Sequence, residues 1–207
     1  MTLNPQKTTI LSSRFEEALV YATRLHSRQV RKGSGVPYVS HLLSVAALVI
    51  EDGGDEDEAI AALLHDAIED QGGDKTRQEI REKFGETVVD IVNACTDAEV
   101  IPKPPWQARK QNYIEKMRNA SPQVRRVSMA DKLHNARSIL ADWHRGENDI
   151  WSRFTGGREG TLWYYRSLIE VNRQAGTNYL TEECATEGAA KRSCGETIRT
   201  NLNLLSN

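Results

Sequence analysis

The sequence predicts an all-α protein built as one domain. Apolar residues recur at the three- and four-residue spacing of amphipathic helices, and no useful stretch alternates with the two-residue period of a strand. Glycine and proline separate the helical stretches at short intervals. The chain has 207 residues, of which 39% are hydrophobic, and this suits one packed domain of ordinary size. We therefore expect a single compact helical bundle of about eight or more helices.

The first half of the chain predicts five helices. Serine at the start of the first helix and Asp55 at the start of the third can supply the side-chain oxygen of an N-cap. Glycines end the second, third and fourth stretches, because glycine is favoured where a helix stops. The predicted spans are Arg14–Val30, Tyr38 or Ser40 to Ile50, Glu56–Ile68, Thr76–Phe84 and Glu86–Cys95.

The second half predicts three longer helices and a tail. Pro122 lies at a helix start, where its missing N–H is not needed. The predicted spans are Trp106–Arg118, Gln123–Trp143 and Glu159–Gln174. Beyond Gly176 the helical periodicity fades, and the sequence becomes polar. We expect residues 1–13 to be a lead-in, 14–175 to be the domain, and 176–207 to be a loosely ordered tail with one short helix at most.

Composition and charge exclude several classes of protein. A net charge of −2 argues against a nucleic-acid binder that works through bulk positive charge and against a polybasic membrane anchor. No apolar run approaches the roughly 20 residues that span a bilayer, and the N-terminus lacks the apolar core of a signal peptide. Cys95, Cys184 and Cys194 are odd in number and have no CxxC spacing, so we expect a reduced, cytoplasmic protein.

The densest cluster of ionisable groups follows the apolar stretch of the third helix. His65 and Asp66 are adjacent, and Glu69 and Asp70 each lie four residues, or one helical turn, beyond one of them. Burying four ionisable groups beside alanine and leucine is unfavourable, and a divalent cation would offset that penalty. The alternative is a solvated helix end with a chance cluster of charges.

Two further candidates lie far away along the chain. His41 begins the second helix, where a histidine is more often a surface or capping residue than a ligand. Asp131 is a carboxylate beside an apolar helical face, and a salt bridge to Lys132 or Arg125 is its alternative role. Together with His65 and Asp66 they supply two imidazoles and two carboxylates. That set suits a first-row divalent ion such as Mn²⁺, Fe²⁺ or Zn²⁺ and leaves positions for water and substrate.

In this order, His41, His65-Asp66 and Asp131 resemble the H…HD…D signature of the HD-domain metal-dependent phosphohydrolases. The surrounding residues are similar to the RelA/SpoT-type alarmone hydrolase domain over roughly residues 14–172. A synthetase domain has no room here, so the resemblance is to the small stand-alone hydrolases and implies an HD-domain helical bundle. It also implies removal of the 3′-pyrophosphate from (p)ppGpp with Mn²⁺. The motifs are Arg31-Lys32, Pro37-Tyr38-x-x-His41, Leu64-His65-Asp66-x-x-Glu69-Asp70, Phe84-Gly85 and Ala130-Asp131-Lys132-Leu133-x-Asn135.

The resemblance implies a role for each matching residue. Manganese, or another divalent first-row ion, is implied as the cofactor, and the implied ligands are His41, His65, Asp66 and Asp131. Glu69 and Asp70 match the pair that orients or activates the attacking water. The implied substrate contacts are Arg31, Lys32, Asn135, Arg158 and Tyr164.

Phosphoryl chemistry requires more positive charge than one cation supplies, because the substrate is a polyanion. Lys103, Arg109 and Lys110 are further candidates for phosphate contacts, although Arg109 and Lys110 could equally form a solvated helix face. The aromatic run 163–165 could be core rather than part of a ligand site, and Asp97 could support the site or simply end a helix.

Three functions remain open from the sequence. The first is an enzyme that hydrolyses guanosine alarmones. Its substrate would be a small-molecule nucleotide, and it would have no nucleic-acid or membrane partner. The second keeps this chemistry but uses (p)ppApp or NADPH, because the stretch 100–109 does not map onto hydrolases of known specificity. The third is a non-catalytic alarmone-binding protein. The apolar helix faces also leave a homo-oligomer open, since such a face can be core or interface.

Overall fold

The computed structural model describes residues 9–98, 102–146, 149–176 and 178–187. Within these ranges the chain is mostly helical, and its only β pairing is an isolated bridge between Val30 and Pro37. The all-α prediction is confirmed. The helices are α1 Ser13–Leu25, α2 Val39–Glu51, α3 Glu56–Leu64, α4 Ala67–Asp70, α5 Asp74–Phe84, α6 Glu86–Cys95, α7 Trp106–Arg118, α8 Pro122–His144 and α9 Gly157–Ala175, with a 3₁₀ turn at Ile150–Arg153.

Helix α3 forms the centre of the bundle. All six residues from Ala59 to Leu64 are fully buried, as expected of a helix that is apolar on every side. Helices α1, α2, α6 and α8 all pack against it. Because α3 runs through the core, whatever follows its last residue is delivered to the interior of the bundle.

The chain breaks its helical path directly after α3. We expected one helix from Glu56 to Ile68, but α3 ends at Leu64 and α4 begins only at Ala67, so that prediction was wrong. The break has a local cause: Nδ1 of His65 bonds the carbonyl of Ala62 at 2.8 Å, and a side chain bonded in this way competes with the backbone ladder.

Helix α1 is also shorter than predicted, because it ends at Leu25 rather than at Val30. The residues that follow fold back on themselves in what we call the 29–38 loop. The N–H of Tyr38 donates to the carbonyl of Gln29 at 2.9 Å, and the N–H of Arg31 donates to Val36 at 2.7 Å. These two bonds close the loop just before α2 begins.

A buried ion-pair network joins the ends of three helices. Asp55 caps α3 as predicted: its side chain accepts the N–H of Glu58 at 3.0 Å, and the Glu58 carboxylate accepts the N–H of Asp55 at 2.8 Å. The guanidinium of Arg126, on α8, binds Glu58 and also binds Asp52 at 2.9 Å. Because Glu58 is only 2% exposed, loss of Arg126 would leave its carboxylate buried without an ionic partner.

Part of the predicted tail joins the core. Residues 179–187 are helical, and Leu180, Thr181 and Cys184 are buried. The Asn178 side chain donates to Asp52 at 3.2 Å, which anchors this segment to the end of α2. Residues 1–8 and 188–207, with Cys194, lie outside the described residues. No described helix combines the length and the apolar character that crossing a bilayer requires.

We expect Arg126→Met to lower the free energy of unfolding by about 3 kcal/mol, because it leaves two carboxylates buried without their partner. Urea denaturation of the metal-free protein measures the change. The matched control is Lys75→Met, which removes an exposed ion pair with Glu79 (3.8 Å) and should alter stability by less than about 0.5 kcal/mol. Equal effects of the two substitutions would contradict this account of the network.

Candidate active site

Four side chains from distant parts of the chain converge in the core. Nε2 of His65 lies 3.0 Å from Oδ2 of Asp66, and Nε2 of His41 lies 3.2 Å from Oδ1 of Asp131. Nε2 of His41 also lies 3.7 Å from Oδ2 of Asp66, and Nε2 of His65 lies 3.7 Å from Oδ1 of Asp131. The centroids of the two imidazole rings are 5.1 Å apart. Donor atoms of His41, His65 and Asp66 all lie within 4.8 Å of one another, which is close enough to share one ion.

The helical framework explains this convergence. His41 lies in the first turn of α2, His65 and Asp66 occupy the break after α3, and Asp131 lies near the middle of α8. Helices α2, α3 and α8 pack against one another in all three pairs. The break matters, because adjacent residues in a continuous helix point about 100° apart, whereas here both side chains reach the same point.

The hydrogen bonding of His65 indicates that the cluster is built for a cation. With its Nδ1–H donated to the carbonyl of Ala62, the neutral form of the ring carries its lone pair on Nε2. Within the described part of the chain, that buried nitrogen has no hydrogen-bond partner and faces a carboxylate oxygen. Two acceptors at this distance repel each other unless a positive charge lies between them. The donor set therefore fits a divalent metal ion.

The charges of the cluster indicate the same demand. Burial lowers the pKa of His65, but the carboxylates of Asp66 and Asp131 outweigh it and hold that pKa well above its ordinary value. Without a metal, a proton on Nε2 therefore supplies the positive charge that these carboxylates require, and a metal ion would take the place of that proton. Burial likewise opposes ionisation of Asp131, but the Lys132 ammonium and the two imidazoles outweigh it and hold the pKa of Asp131 well below its ordinary value. Both carboxylates thus remain ionised and available to a cation.

Three neighbouring groups hold the carboxylates in place, each through a hydrogen bond of 2.5 Å. The hydroxyl of Tyr38 donates to Oδ2 of Asp66. The Lys132 ammonium and the Asn135 amide donate to the two oxygens of Asp131. Such outer contacts orient metal-ligating groups. The predicted Lys132 salt bridge therefore exists, but it supports the cluster rather than replacing it.

His134 is a member of the site that the sequence analysis did not identify. Its Nδ1 lies 2.7 Å from Nδ1 of His41. Burial, then the neighbouring His41 and Arg31, lower the pKa of His134 to about 4. Its position three residues after Asp131 was the available signal, because residues at that spacing share a face of a helix.

A cavity of about 520 Å³ adjoins the cluster. Tyr38, Lys132 and Asn135, which hold the carboxylates, also line the cavity. Among the described residues, seven lysines and arginines line it against three carboxylates, so it favours a polyanion. The seven are Arg31, Lys32, Lys103, Arg109, Lys110, Lys132 and Arg153.

The 29–38 loop contributes two of these cations. The Arg31 guanidinium donates to Oδ1 of Asn135 at 2.7 Å, and the Lys32 ammonium donates to the carbonyl of Arg153 at 2.9 Å. Gly33 of the same loop lies against the Arg153 guanidinium so closely that a side chain there would collide with it. The loop and the 3₁₀ turn thus meet at the cavity.

Glu69 lies on the opposite part of the lining within a charged network. One carboxylate oxygen binds the Lys103 ammonium at 2.6 Å, and the other accepts the N–H of Asp97 at 3.1 Å. The Asp97 side chain in turn binds Arg109 and Lys110, the latter at 2.8 Å. Arg109 and Lys110 are only 16% and 18% exposed, so they do not form a solvated helix face. Asp97 supports this network.

The remaining predicted site residues divide into two groups. Tyr164 is buried and lines the cavity, with the Lys110 ammonium 4.8 Å from its ring. Asp70 and Arg158 are not among the described lining residues. Asp70 accepts a bond from the Gln29 amide at 2.8 Å, and Arg158 pairs with Glu159. The roles that the resemblance implies for these two residues stay predictions.

The Trp106 ring closes another part of the cavity wall. It lies over Gly156 and Gly160 at the start of α9, where a Cβ on either glycine would press into the indole. Trp163, one turn further along α9, contacts the same indole, with 6.2 Å between ring centroids. Trp106 follows Pro105 directly, so the prolines before α7 deliver this ring to the wall.

A helical bundle with a buried His/Asp cluster beneath a cationic cavity defines a metal-dependent hydrolase of phosphate compounds. The HD domain family matches residues 18–162. The chain therefore belongs to the HD domain family, in the group that contains the MESH1 proteins, and the resemblance found in its sequence is confirmed.

Several relatives support this placement. The human protein named guanosine-3′,5′-bis(diphosphate) 3′-pyrophosphohydrolase MESH1 is 37% identical over 139 residues, covering 66% of this chain and 73% of the human one. MESH1 of Drosophila melanogaster is 32% identical over 155 residues, covering 70% and 84%. A solved structure described as a metazoan ortholog of SpoT that hydrolyzes ppGpp and plays a role in starvation responses has a TM-score of 0.74 at 28% identity, covering 90% and 99%.

We expect His65→Ala and Asp66→Ala to abolish stoichiometric metal binding, because each removes a donor that the remaining side chains cannot replace. Elemental analysis of the purified variants measures metal content. Glu69→Gln is the control and should retain the metal, since Glu69 bonds Lys103 and the backbone of Asp97 rather than the cluster. Full metal content in either cluster variant would exclude the site.

Proposed function

We propose that the chain is a metal-dependent hydrolase that removes the 3′-pyrophosphate from guanosine alarmones, giving GDP or GTP and pyrophosphate. The observation that carries the proposal is a His/Asp cluster whose donor atoms are close enough to share one ion, at the edge of a cavity lined by seven basic side chains. The names of the relatives support the choice of substrate. A polyphosphorylated nucleoside matches both features, because its reacting phosphate needs a metal and its other phosphates need lysine and arginine.

His41, His65, Asp66 and Asp131 would hold the metal, which when bound would supply Lewis-acid polarisation of a phosphoryl oxygen and a more acidic water. Glu69 acts as the general base, accepting the proton of the attacking water at a carboxylate oxygen. Its contacts with Lys103 and the Asp97 N–H hold that carboxylate in one orientation. The Asp70 carboxylate, held by Gln29, belongs to the same pair and orients the water.

The reaction balances without any further co-reactant. The water oxygen forms a new bond to the 3′-phosphorus, and the bond from phosphorus to the 3′-oxygen breaks. A proton then reaches the 3′-oxygen, so that the nucleoside leaves with a free 3′-hydroxyl. Lys103, Arg109 and Lys110 neutralise the charge that gathers on the phosphate oxygens.

Arg31, Lys32, Asn135 and Tyr164 contact the nucleotide in this proposal. All four line the cavity, and Asn135 joins the metal side to the substrate side, because it donates to Asp131 and accepts from Arg31. Arg158 has less support, since its guanidinium is paired with Glu159 outside the lining.

Manganese and a cytoplasmic setting complete the proposal. Two imidazoles and two carboxylates form a mixed set that suits Mn²⁺ among first-row ions, although Fe²⁺ and Zn²⁺ accept the same donors. The three cysteines are odd in number and have no CxxC spacing, which favours a reducing compartment such as the cytoplasm.

We expect purified protein with Mn²⁺ to convert ppGpp to GDP and pyrophosphate, because the cluster and the cationic cavity are both in place. Chromatography with product identification measures turnover, and chelation of the metal should stop it. A panel of ppGpp, ppApp and NADPH at fixed Mn²⁺ separates the alternatives, which share the metal chemistry and differ only in the nucleotide. Unchanged ppGpp bound to metal-loaded protein would instead indicate a non-catalytic binding protein.

We expect Arg31→Met to raise KM for ppGpp about tenfold while changing kcat little, because a charge-assisted contact to the nucleotide is worth roughly 1.4 kcal/mol. Steady-state kinetics over a range of substrate concentrations separates the two constants. Arg81→Met is the matched control, since Arg81 pairs with Glu86 on the surface of α5, away from the cavity. An unchanged KM in the Arg31 variant would remove Arg31 from the nucleotide site.

A further inference from the structure

We propose that His134 fixes the tautomer and orientation of His41, which makes it a positioning residue for the metal centre. The two Nδ1 atoms are 2.7 Å apart, the ring centroids are 4.8 Å apart, and the rings are tilted by 40°. The inference rests on His41 being a metal ligand, which is part of the proposed function. His134 would be a fifth side chain of the metal centre. It is not a ligand itself, but it determines whether His41 can bind the metal through Nε2.

The short distance between the nitrogens allows only one arrangement of hydrogens. Two bare nitrogens would repel each other, and two N–H groups would collide, so a single hydrogen lies between them. Nε2 of His41 points at Asp131 and Asp66, at 3.2 and 3.7 Å. To donate its lone pair to a cation there, His41 must carry its hydrogen on Nδ1. His41 is therefore the donor of the shared bond, and Nδ1 of His134 is the acceptor.

His65 has the same requirement and meets it differently. Its Nδ1–H donates to the main-chain carbonyl of Ala62, which no substitution of a side chain can remove. For His41, the carbonyl three residues earlier, that of Tyr38, already accepts the backbone N–H of His41 at 2.9 Å. A side chain supplies the acceptor instead. The tautomer of one metal-ligating histidine is thus fixed by the backbone, and that of the other depends on His134.

His134 is held firmly enough for this role. It lies on α8 three residues after Asp131, so one helix carries both a metal ligand and the group that orients another ligand. The Ser138 hydroxyl bonds the carbonyl of His134 at 3.0 Å, within the same helix. Because α8 packs against α2, which carries His41, the two rings keep their relation as long as the helices do.

Three substitutions separate positioning from simple space filling. His134→Asn keeps an acceptor, because its Oδ1 branches from the chain at the same point as Nδ1 of histidine. His134→Leu has the same branching at Cγ as asparagine but no acceptor, and His134→Phe keeps a ring without one. His144→Leu is the control, because it removes a histidine from the last turn of the same helix.

The first readout is the affinity for Mn²⁺ alone, measured by competition with a chelator. We expect the leucine and phenylalanine variants to bind the metal about 10- to 100-fold more weakly, as removal of a ligand's hydrogen-bond partner does. The Mn²⁺ affinity of the asparagine variant should stay within about threefold of that of the parent protein. The Mn²⁺ affinity of the His144→Leu control should equal that of the parent protein. Thermal unfolding of the metal-free proteins tests the fold, and the phenylalanine variant serves if the leucine variant is unstable.

A visible spectrum of the Co²⁺-loaded proteins provides a second readout, since a misdirected imidazole alters the absorption bands of the ion. Unchanged metal affinity in a folded acceptor-free variant would overturn the inference, as would equal weakening by asparagine and leucine. These measurements use no nucleotide. Failure to hydrolyse ppGpp would therefore count against the proposed function alone and leave this inference standing.

Discussion

Burial of negative charge at the centre of the bundle is the constraint on which the rest of the structure depends. Asp131 and Asp66 approach imidazole nitrogens with side chains that are 11% and 25% exposed, and a carboxylate so largely withdrawn from water is unfavourable without compensation. Lys132 compensates only part of this charge. A divalent cation would neutralise the remaining negative charge. The same carboxylates that are unfavourable to bury therefore provide the ligands for a metal ion.

Helices α3 and α8 place the charged side chains of the cluster and of the cavity. The apolar helix α3 runs through the core and then stops, so that His65 and Asp66 emerge where a continuous helix would have hidden one of them. Helix α8 carries successive groups along one face from the metal to the cavity: first Asp131, then Asn135, then Asp142. The His/Asp cluster and the cavity are therefore joined through a rigid helix as well as through Tyr38 of the 29–38 loop.

Much of this architecture could be predicted from the sequence, because apolar spacing reports directly on helices that bury one face. The spans of α6 and α7 agree with the structure at both ends. The break at His65 could not be predicted, since it depends on a side-chain bond to Ala62 that competes with a sequence of good helix formers. The packing of residues 179–187 against the core could not be predicted either, because it comes from contacts with distant residues such as Asp52.

The donor residues were recognisable for a different reason from their surroundings. His41, His65-Asp66 and Asp131 form a pattern of residue types, whereas His134 and Arg153 differ from ordinary surface residues only in what lies beside them. The pairing of Asp97 with Arg109 and Lys110 likewise requires the end of α6 and the start of α7 to lie side by side. Spacing along one chain cannot encode such meetings, which are decided by how whole helices pack.

The indole of Trp106 and the two glycines beneath it bear on how this pocket can change. Space is created there by the absence of Cβ atoms at positions 156 and 160, and the ring occupies it. An alanine at either position would press on the indole and force it to shift, and this would change the shape of the cavity wall that Trp106 forms. A single methyl group behind the cavity wall would thus alter the cavity without being part of its lining.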